Sequence, residues 1–222
     1  MQMTKSFKNV YISEHPILQH NLATLRNKNS SPEAFRNALG RIFQIVFFEA
    51  TRNIVLEEVS VTTPIMETKC KVYSKDSTII ISPILRAGLS LADEAVKIIP
   101  QAVVSHLGMY RDEKTLEPVW YYNKSYDINF NPKQSTVFLL DPMLATGNTI
   151  VAAINNYLSL GVEPNNIHVV SIISSPQGIS KLEKEFPNVN IYTASVDEGL
   201  NENGYIVPGL GDAGDRIYNT KW

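Results

Sequence analysis

A short run of small and hydroxyl residues, placed after a buried-strand pattern, has the composition of a phosphate-binding loop. The segment DPMLATGNT spans residues 141–149 and follows the apolar run TVFLL. A helical pattern begins at its end, so unpaired backbone N–H groups and the positive end of a helix dipole would face a ligand in front of it. Ala145 and Gly147 allow a close approach of the backbone. Thr146 and Thr149 add hydroxyl donors, and a phosphate monoester fits this combination.

Asp141 begins this loop and needs a different explanation, because a carboxylate repels a phosphate. It could accept hydrogen bonds from sugar hydroxyls beside the phosphate. The loop lacks Gly-Lys-Ser/Thr and the G-x-G-x-x-G spacing, so it is neither a Walker loop nor a dinucleotide fingerprint. Asn148 tolerates left-handed backbone and can replace a glycine there. An ordinary capped turn explains the pattern equally well, and the loop alone leaves both explanations open.

Two arginines follow other strand patterns. Arg86, in SPILRAG, precedes a small-residue turn, where its planar fork could grip a phosphate. For this motif alone, a surface ion pair with Asp93 or Glu94 is the favoured alternative. Arg111 leads from a strand into the charged stretch DEKTLEP, which is a common setting for a lid over a site. A solvated hairpin turn is the simpler explanation of that stretch.

The segment GYIVPGLGDAGD, residues 204–215, contains four glycines and Pro208. Such an irregular segment can present main-chain N–H and C=O groups to the flat edge of a base. Asp212 and Asp215 add carboxylates. A floppy tail is the alternative, but several apolar residues that need packing argue against it: Ile206, Val207, Leu210 and Ile217.

Histidine and cysteine do not indicate a metal or nucleophile site. The four histidines lack metal-ligand spacing and no Ser-His-Asp order is supported. His15 and His20 are expected on the surface of a loose N-terminal segment. His106 and His168 lie in strand patterns and are expected to be structural. Cys70 also lies in a strand pattern and needs no functional explanation.

The elements that position these loops alternate between strand and helix patterns. A helix is predicted from Ser31 to about Asn53, with Ser31 as N-cap. Two strand pairs are predicted, one from IVLEEVSVTTPI with TKCKVY and one from QAVVSHLGMY with EPVWYY. Continuous apolar strands that alternate with helices predict a parallel sheet covered on both faces, with ligands beyond the carboxyl ends of its strands. The candidate loops should therefore share one rim, after Ile81, Tyr110, Leu140, Ser174 and Val196.

Composition limits the classes of partner. The 222 residues include 20 basic and 22 acidic side chains and a hydrophobic fraction of 44%. This near-neutral balance argues against broad binding to nucleic acid or to an anionic membrane surface. A single cysteine, no signal-peptide pattern and no apolar run long enough to cross a bilayer predict a soluble cytoplasmic protein.

Taken together, and in this order along the chain, the motifs resemble those of a known enzyme family. LLDPMLATGNT resembles the phosphoribosyl pyrophosphate (PRPP) signature of type I phosphoribosyltransferases. Many members carry two adjacent acids there, whereas a single acid followed by Pro142 resembles the uracil branch. PILRAG, GMYR, TLEPV and YTASVDEGLNENGYIVPGLGDAGDRIY match that branch in the same order, over about His15 to Thr220. Asn148 departs from the pattern, because glycine is frequent at that position.

The resemblance implies an α/β fold of the type I phosphoribosyltransferase kind, in which helices flank a central parallel sheet. It implies a β-hairpin arm and a C-terminal base-binding hood. We predict one phosphoribosyltransferase domain over residues 1–222. Residues from about 1–30 should pack on that domain, and residues 197–222 should form the base-binding segment.

The resemblance also implies residue roles. Catalytic roles fall on Asp212, Arg111 and Asp141. PRPP binding falls on Arg86, Arg111, Asp141, Pro142, Met143, Leu144, Ala145, Thr146, Gly147, Asn148, Thr149 and Asp212. Uracil binding falls on Ile206, Gly211, Asp212 and Ala213. Within PRPP, the loop takes the ribose and 5′-phosphate, and the two arginines take the pyrophosphate.

The implied reaction joins uracil N1 to the ribose of PRPP, giving UMP and pyrophosphate. Mg²⁺ is the implied cofactor, held mainly by PRPP and water with no direct protein ligand. A homodimer or higher homo-oligomer is expected, with GTP as a candidate effector and no nucleic-acid or membrane partner. Two alternatives stay open: a regulator on the same fold that senses uracil nucleotides and contacts RNA or a protein, and an enzyme for another base. The near-neutral charge weighs against RNA. The single-acid loop and the glycine-rich tail disfavour another base.

Overall fold

The computed structural model describes residues 2–3, 7–112 and 118–220. Its strands in chain order are β1 (Gln2–Met3), β2 (Val10–Ile12), β3 (Leu56–Thr62), β4 (Glu67–Tyr73), β5 (Thr78–Leu85), β6 (Val103–Val104), β7 (Leu107–Arg111), β8 (Pro118–Asn123), β9 (Ser135–Leu140), β10 (Met143–Leu144), β11 (Ile167–Val170), β12 (Ile173–Ser174), β13 (Asn190–Thr193), β14 (Ser195–Val196), β15 (Gly199–Leu200) and β16 (Ile206–Val207). The α-helices are α1 (Pro16–Arg26), α2 (Pro32–Ala50), α3 (Leu89–Ile98), α4 (Asn148–Ser159), α5 (Pro176–Glu185) and α6 (Ala213–Tyr218).

The main sheet is largely parallel, which confirms the predicted α/β fold. Its order is β1-β2-β13-β11-β9-β5-β7-β8, and β6 also pairs with β5. The pairs from β2 to β7 are parallel, whereas the edge pairs β1–β2 and β7–β8 are antiparallel. The β3–β4 hairpin forms a separate two-stranded sheet. Both predicted strand pairs are therefore present.

The sheet is covered on both faces, and β9 shows how its sequence achieves this. Phe138 and Leu140 belong to a core with the apolar sides of α1, α2, α3 and α6. Val137 and Leu139 belong to the opposite core, beneath α4 and α5. Successive strand residues point to opposite faces, so a continuous apolar run is what a strand covered on both sides requires.

The N-terminal segment differs from the prediction. It was expected to be loose, but residues 16–26 form α1, whose side chains Leu18, Leu22 and Leu25 are buried against α2. His15 and His20 are exposed as predicted, but His15 is the N-cap of this helix and its Nδ1 accepts a hydrogen bond from the Ile17 amide at 3.2 Å. An N-terminal histidine cap is not among the preferred capping residues, which is why the start of α1 was missed.

The ends of β5 and α2 also differ from the prediction. Strand β5 continues to Leu85, four residues beyond the predicted end at Ile81, because Ser82 is buried and its hydroxyl hydrogen-bonds the Ser105 carbonyl at 3.0 Å. Pro83 stays in register with Leu140 of β9. Helix α2 ends at Ala50 rather than near Asn53, and Ser31 is its N-cap as predicted.

The predicted rim is built around a second small sheet. Its three parallel strands, β10, β12 and β14, lie just after β9, β11 and β13 respectively. Each follows a strand of the main sheet after a short break in the pairing. The chain therefore continues beyond the carboxyl ends of three adjacent strands. This places the start of α4 and the segment after Val196 on the same side of the molecule.

Candidate active site

A cavity of about 310 Å³ opens at this rim. One wall comes from the loop predicted to bind phosphate and the other from the start of α6. The loop contributes Asp141, Met143, Leu144, Ala145, Thr146, Gly147 and Thr149, and the opposite wall is Ala87, Asp212, Ala213 and Gly214. Residues separated by about 70 positions are therefore opposite walls of one cavity. Pro142 and Asn148, also predicted to bind PRPP, are in the loop but do not line the cavity.

We call residues 141–149 the phosphate loop. Gly147 is the N-cap of α4, so the unpaired amides of the first helical turn lie at the end of this loop. The loop is held from below by the start of α5. Ser175 Oγ donates to the Ala145 carbonyl at 2.6 Å, and the Ser175 amide donates to the Leu144 carbonyl at 2.8 Å. The backbone is thus fixed before any ligand binds, which suits it to an anion.

Asp141 is the most perturbed acid of the site. Its Oδ1 accepts a hydrogen bond from the Met143 amide at 3.1 Å. Burial raises the pKa of Asp141 to about 7, and the Met143 hydrogen bond opposes that shift only in part. A carboxyl poised near neutrality in a cavity is a common property of functional sites. It can ionise when a ligand with hydroxyl groups or positive charge arrives.

Arg86 lies at the rim of the cavity, next to its lining residue Ala87. Its Nη2 forms an ion pair with Asp215 Oδ1 at 3.2 Å, rather than with Asp93 or Glu94. The Tyr218 hydroxyl donates to the Arg86 carbonyl at 3.0 Å. Helix α6 therefore holds both the side chain and the main chain of Arg86. With 60% of its side chain exposed, Arg86 can exchange its carboxylate partner for a ligand anion.

The second predicted pyrophosphate arginine is Arg111, at the end of β7. Its side chain, and residues 113–117 of the predicted lid, lie outside the described part of the structure. Their roles stay predictions.

Residues 197–222 were predicted to bind the base, and we call their first part, residues 197–213, the base segment. It contains the short pair β15–β16, in which Gly199 pairs with Val207. Gly209 has φ +59°, and a Cβ there would lie 2.1 Å from the Ile206 carbonyl oxygen, so only glycine fits. Asp212 and Ala213 line the cavity, whereas Ile206 and Gly211 do not. Ile206 is buried in the core shared with α2.

An ion pair from a distant part of the chain holds the base segment. Arg26, the last residue of α1, binds Asp197 through two hydrogen bonds of 2.7 and 2.6 Å. Arg26 also donates to the Gly209 carbonyl at 2.9 Å, and Asp197 accepts from the Gly209 amide at 2.9 Å. Burial would raise the pKa of Asp197, but hydrogen bonds from Arg26, Ser195 and Gly209 outweigh it and hold the pKa below its usual value.

A second buried arginine strengthens this connection. Arg216 donates to the carbonyls of Leu25, Leu210 and Asn27. Its guanidinium lies 4.3 Å from the centre of the Phe35 ring. Leu25 and Asn27 belong to the end of α1, so the last helix of the chain is tied to the first. We call Arg26, Asp197, Gly209 and Arg216 the arginine clamp.

Asp212 is both a helix cap and a lining residue of the cavity. It is the N-cap of α6, where its Oδ1 accepts a hydrogen bond from the Asp215 amide at 2.8 Å, and it also lines the cavity. The carboxylate is therefore fixed by its own helix while it faces the phosphate loop.

His168 does not line the cavity. Burial lowers the pKa of His168 to about 4, and its ring packs between Phe138 and Tyr192, as a structural histidine would. Within residues 7–112 and 118–220, no three His, Cys, Asp or Glu side chains converge as a metal cage. In the same ranges, no helix has the length and apolar character needed to cross a membrane.

The sequence alone did not reveal the arginine clamp. Arg26 and Arg216 stand in ordinary helical patterns, and each donates to residues about 170 to 190 positions away. The only available signal was Asp197, a carboxylate placed directly after a strand pattern. That position resembles Asp141 in the phosphate loop.

Comparison with known proteins fits this geometry. A family model described as uracil phosphoribosyltransferase matches residues 12–220. A protein of that name from Dictyoglomus thermophilum is 48% identical, over 96% of this chain and 100% of the relative. Another from Lactococcus lactis subsp. lactis is 43% identical, over 95% of this chain and 98% of the relative.

Solved structures agree. The AQ2163 protein from Aquifex aeolicus has 37% sequence identity and a TM-score of 0.85, covering 94% of this chain and 97% of that one. Adenine phosphoribosyl transferase from Trypanosoma brucei has 15% identity and a TM-score of 0.55, over 96% of this chain and 92% of that one, which is a likeness of fold alone. The match along nearly the whole chain, together with a cavity formed by its two signature segments, leads to one conclusion: this chain belongs to the uracil phosphoribosyltransferase family.

Proposed function

We propose that this chain transfers the phosphoribosyl group of PRPP to N1 of uracil. The bond from N1 to C1′ of the ribose forms, the bond from C1′ to the pyrophosphate oxygen breaks, and the N1 proton is lost. The products are UMP and pyrophosphate. The observation that carries the proposal is the single cavity whose opposite walls are the phosphate loop and the start of α6.

The phosphate loop binds the 5′-phosphate and the ribose. The amides at the start of α4 and the hydroxyls of Thr146 and Thr149 donate to the phosphate oxygens. Asp141 accepts from the ribose hydroxyls and, in its ionised form, stabilises positive charge that develops on the ring. Because the loop is already fixed by Ser175, much of the contribution is positioning of the sugar.

Pyrophosphate leaves at the other side of the cavity. Arg86 and Arg111 bind its oxygens and stabilise the charge that grows on them. Mg²⁺ fits this site, since Asp141 and Asp212 line the cavity with carboxylates that can contact its water shell, and carboxylate oxygens are ligands that Mg²⁺ accepts. When bound with PRPP, the ion neutralises charge on the leaving group.

The base segment selects uracil. Main-chain groups around Ile206, Gly211 and Ala213 offer a donor to O4 and an acceptor to the N3 proton. Cytosine presents the reverse pattern, so buried main-chain groups would stay unpaired against it. Asp212, which lines the cavity, is the residue that we assign to assist loss of the N1 proton.

The test is product formation with a panel of bases. The purified chain is mixed with PRPP, Mg²⁺ and uracil, cytosine, hypoxanthine or xanthine in turn, and mononucleotides are separated and identified. UMP from uracil alone is the expected result. A nucleotide formed from another base instead would overturn the base assignment, and RNA binding without any UMP would favour the regulator.

A homo-oligomer is part of the proposal. The β3–β4 hairpin, residues 56–73, carries apolar side chains in contact with solvent, including Ile65, which is 92% exposed, and Met66, which is 67% exposed. An apolar arm of this kind is typical of a subunit interface. Light scattering after gel filtration should give a mass above that of one chain, and Ile65→Asp should lower it.

Three finer assignments belong to the same proposal. Residues 1–222 form one domain, and the reaction takes place in the cytoplasm, in keeping with a single free cysteine at Cys70. GTP is a candidate effector on the basis of the family resemblance. Initial rates with and without GTP, at subsaturating PRPP, decide this point, and equal rates would remove GTP from the proposal.

A further inference from the structure

A lysine outside the phosphate loop reaches into it. Lys181 lies on α5, and its Nζ donates to Asn148 Oδ1 at 2.5 Å. Its Cδ lies 3.7 Å from the position that a Cβ on Gly147 would occupy. The half-buried side chain therefore passes beside the N-cap of α4 and ends at the first residue of that helix.

The backbone of α5 brings this lysine into place. A Cβ on Gly178 would lie 2.5 Å from the Ala145 carbonyl oxygen, so helix and loop are in direct main-chain contact at that point. Lys181 is three positions further along α5, which puts it on the same face of the helix. Ser175 and Gly178 set the distance between α5 and the phosphate loop. This short distance lets the Lys181 side chain reach the loop.

The charge of Lys181 lacks a carboxylate partner in the described residues, where no ion pair within 4.0 Å includes it. Its described hydrogen-bond partner is the neutral Asn148 side chain. The phosphate loop contains no cation of its own, and a helix N-terminus supplies only about half an elementary charge. A phosphate dianion at the start of α4 therefore needs further positive charge close to the loop.

We propose that Lys181 is a further PRPP-binding residue, whose ammonium group balances the 5′-phosphate, and that Asn148 is the positioning residue that holds it. This inference rests on the proposed function, since it takes the 5′-phosphate of that reaction as the ligand. It also gives a role to the asparagine that stands where the family resemblance leads one to expect glycine. With asparagine there, the loop gains an acceptor that holds the ammonium at the start of α4.

The main experiment compares Lys181→Met with Lys184→Met in the full chain. Lys184 lies on the same helix with an exposed side chain, so it is a matched control for the loss of one charge. Methionine keeps the unbranched stem and favours helices, so α5 should stay folded. Calorimetry with ribose 5-phosphate measures the subsite without turnover, and inhibition by pyrophosphate measures the other half of PRPP binding.

For Lys181→Met we expect the Kd of ribose 5-phosphate to rise about tenfold, which corresponds to about 1.4 kcal/mol. The KM for PRPP should rise in parallel, while the KM for uracil and the inhibition constant of pyrophosphate change less than about twofold. Lys184→Met should match the wild type in every measurement. Binding of ribose 5-phosphate should also become less sensitive to salt in Lys181→Met, because one screened charge has been removed.

Two further variants test the role of Asn148. Asn148→Gly removes the acceptor and should raise the Kd of ribose 5-phosphate by about threefold. Asn148→Asp keeps an acceptor but adds negative charge beside the phosphate, so its effect should exceed that of Asn148→Gly. Lys181→Arg keeps the charge and should recover part of the affinity.

The inference is overturned if Lys181→Met binds ribose 5-phosphate within twofold of the wild type, or if affinity for pyrophosphate falls by the same factor. The experiments distinguish failure of the Lys181 inference from failure of the proposed function. A wild-type chain that binds ribose 5-phosphate through Lys181 but makes no UMP would refute the function and keep the subsite. If the wild-type chain makes UMP and Lys181→Met binds ribose 5-phosphate as the wild type does, the function stands and the Lys181 subsite is refuted.

Discussion

The phosphate loop and the base segment form opposite walls of one cavity, yet they are held by contacts of opposite kinds. The phosphate loop is short, lies between β9 and α4, and is fixed by uncharged hydrogen bonds from the amide and the hydroxyl of Ser175 at the start of α5. The base segment has little regular structure and depends on the arginine clamp, which ties it to α1. Uncharged hydrogen bonds therefore fix the phosphate site, whereas charged side chains from a distant part of the sequence fix the base site.

The largest expected effect comes from breaking the clamp. Arg26→Met leaves Asp197 almost buried without its partner, and loss of one member of a buried pair costs about 3 kcal/mol of unfolding free energy. The KM for uracil should rise strongly while the Kd of ribose 5-phosphate changes less than about twofold. Urea unfolding and calorimetry measure the two effects.

A matched control is Arg52→Met, which removes an exposed pair with Glu49 and should leave the unfolding free energy nearly unchanged. Equal losses of uracil and ribose 5-phosphate binding in Arg26→Met would contradict the division between the two walls.

The next effect concerns the phosphate wall and depends on pH. The pKa of Asp141 is raised to about 7 in the folded state, against about 4 in an unfolded chain. The stability that the neutral carboxyl contributes is therefore complete below about pH 4 and is lost as the pH rises to about 7. Asp141→Asn, which cannot ionise, should gain on the order of 2 kcal/mol relative to the wild type between pH 5 and pH 8.

Urea unfolding of both proteins at pH 5 and pH 8 checks this prediction. A difference between variant and wild type that stays constant over that interval would show that Asp141 ionises normally in the folded chain.

The same substitution should lower turnover. Asp141→Asn removes the carboxylate that stabilises the ribose, and we expect the rate to fall by about tenfold or more while the fold survives. Arg111→Ala should have a similar effect through pyrophosphate. Steady-state kinetics with circular dichroism as the check on folding measure both, and rates close to wild type in both variants would reject these roles.

The smallest effect on stability is expected at the rim. Arg86→Met breaks the ion pair with Asp215, but because 60% of the Arg86 side chain is exposed, the unfolding free energy should change by less than about 1 kcal/mol. The inhibition constant of pyrophosphate should nevertheless rise about tenfold. A loss of stability without any loss of pyrophosphate binding would make Arg86 a structural residue.

The phosphate loop and the base segment also differ in how well the sequence predicted them. The phosphate loop was predictable because strand, loop and helix follow one another within 25 residues and each has a local signal, such as the small residues before α4. The placement of Asp212 across the cavity also followed, through the resemblance. The boundary of β5 was wrong because a buried serine and a proline, Ser82 and Pro83, look like loop residues and their strand partners are distant in sequence.

The arginine clamp and Lys181 could not be predicted for a related reason. An arginine at the end of a helix pattern is ordinarily a surface residue, and nothing next to Arg26 in sequence indicates Asp197. Lys181 likewise belongs to a helix of mixed charge, and only the close approach of Gly178 to Ala145 brings it to the phosphate loop. Both depend on tertiary packing that no local pattern reports.

The connection between α1 and the C-terminal helix has a consequence for local opening of the native state. Because Arg216 binds the carbonyls of Leu25 and Asn27, α6 cannot move away without breaking the end of α1, although 191 positions separate Leu25 from Arg216. The two ends of the chain should therefore exchange their amide hydrogens as one cooperative unit, with rates that change together in Arg26→Met. Independent exchange of α1 and α6 would show that the base site can open alone.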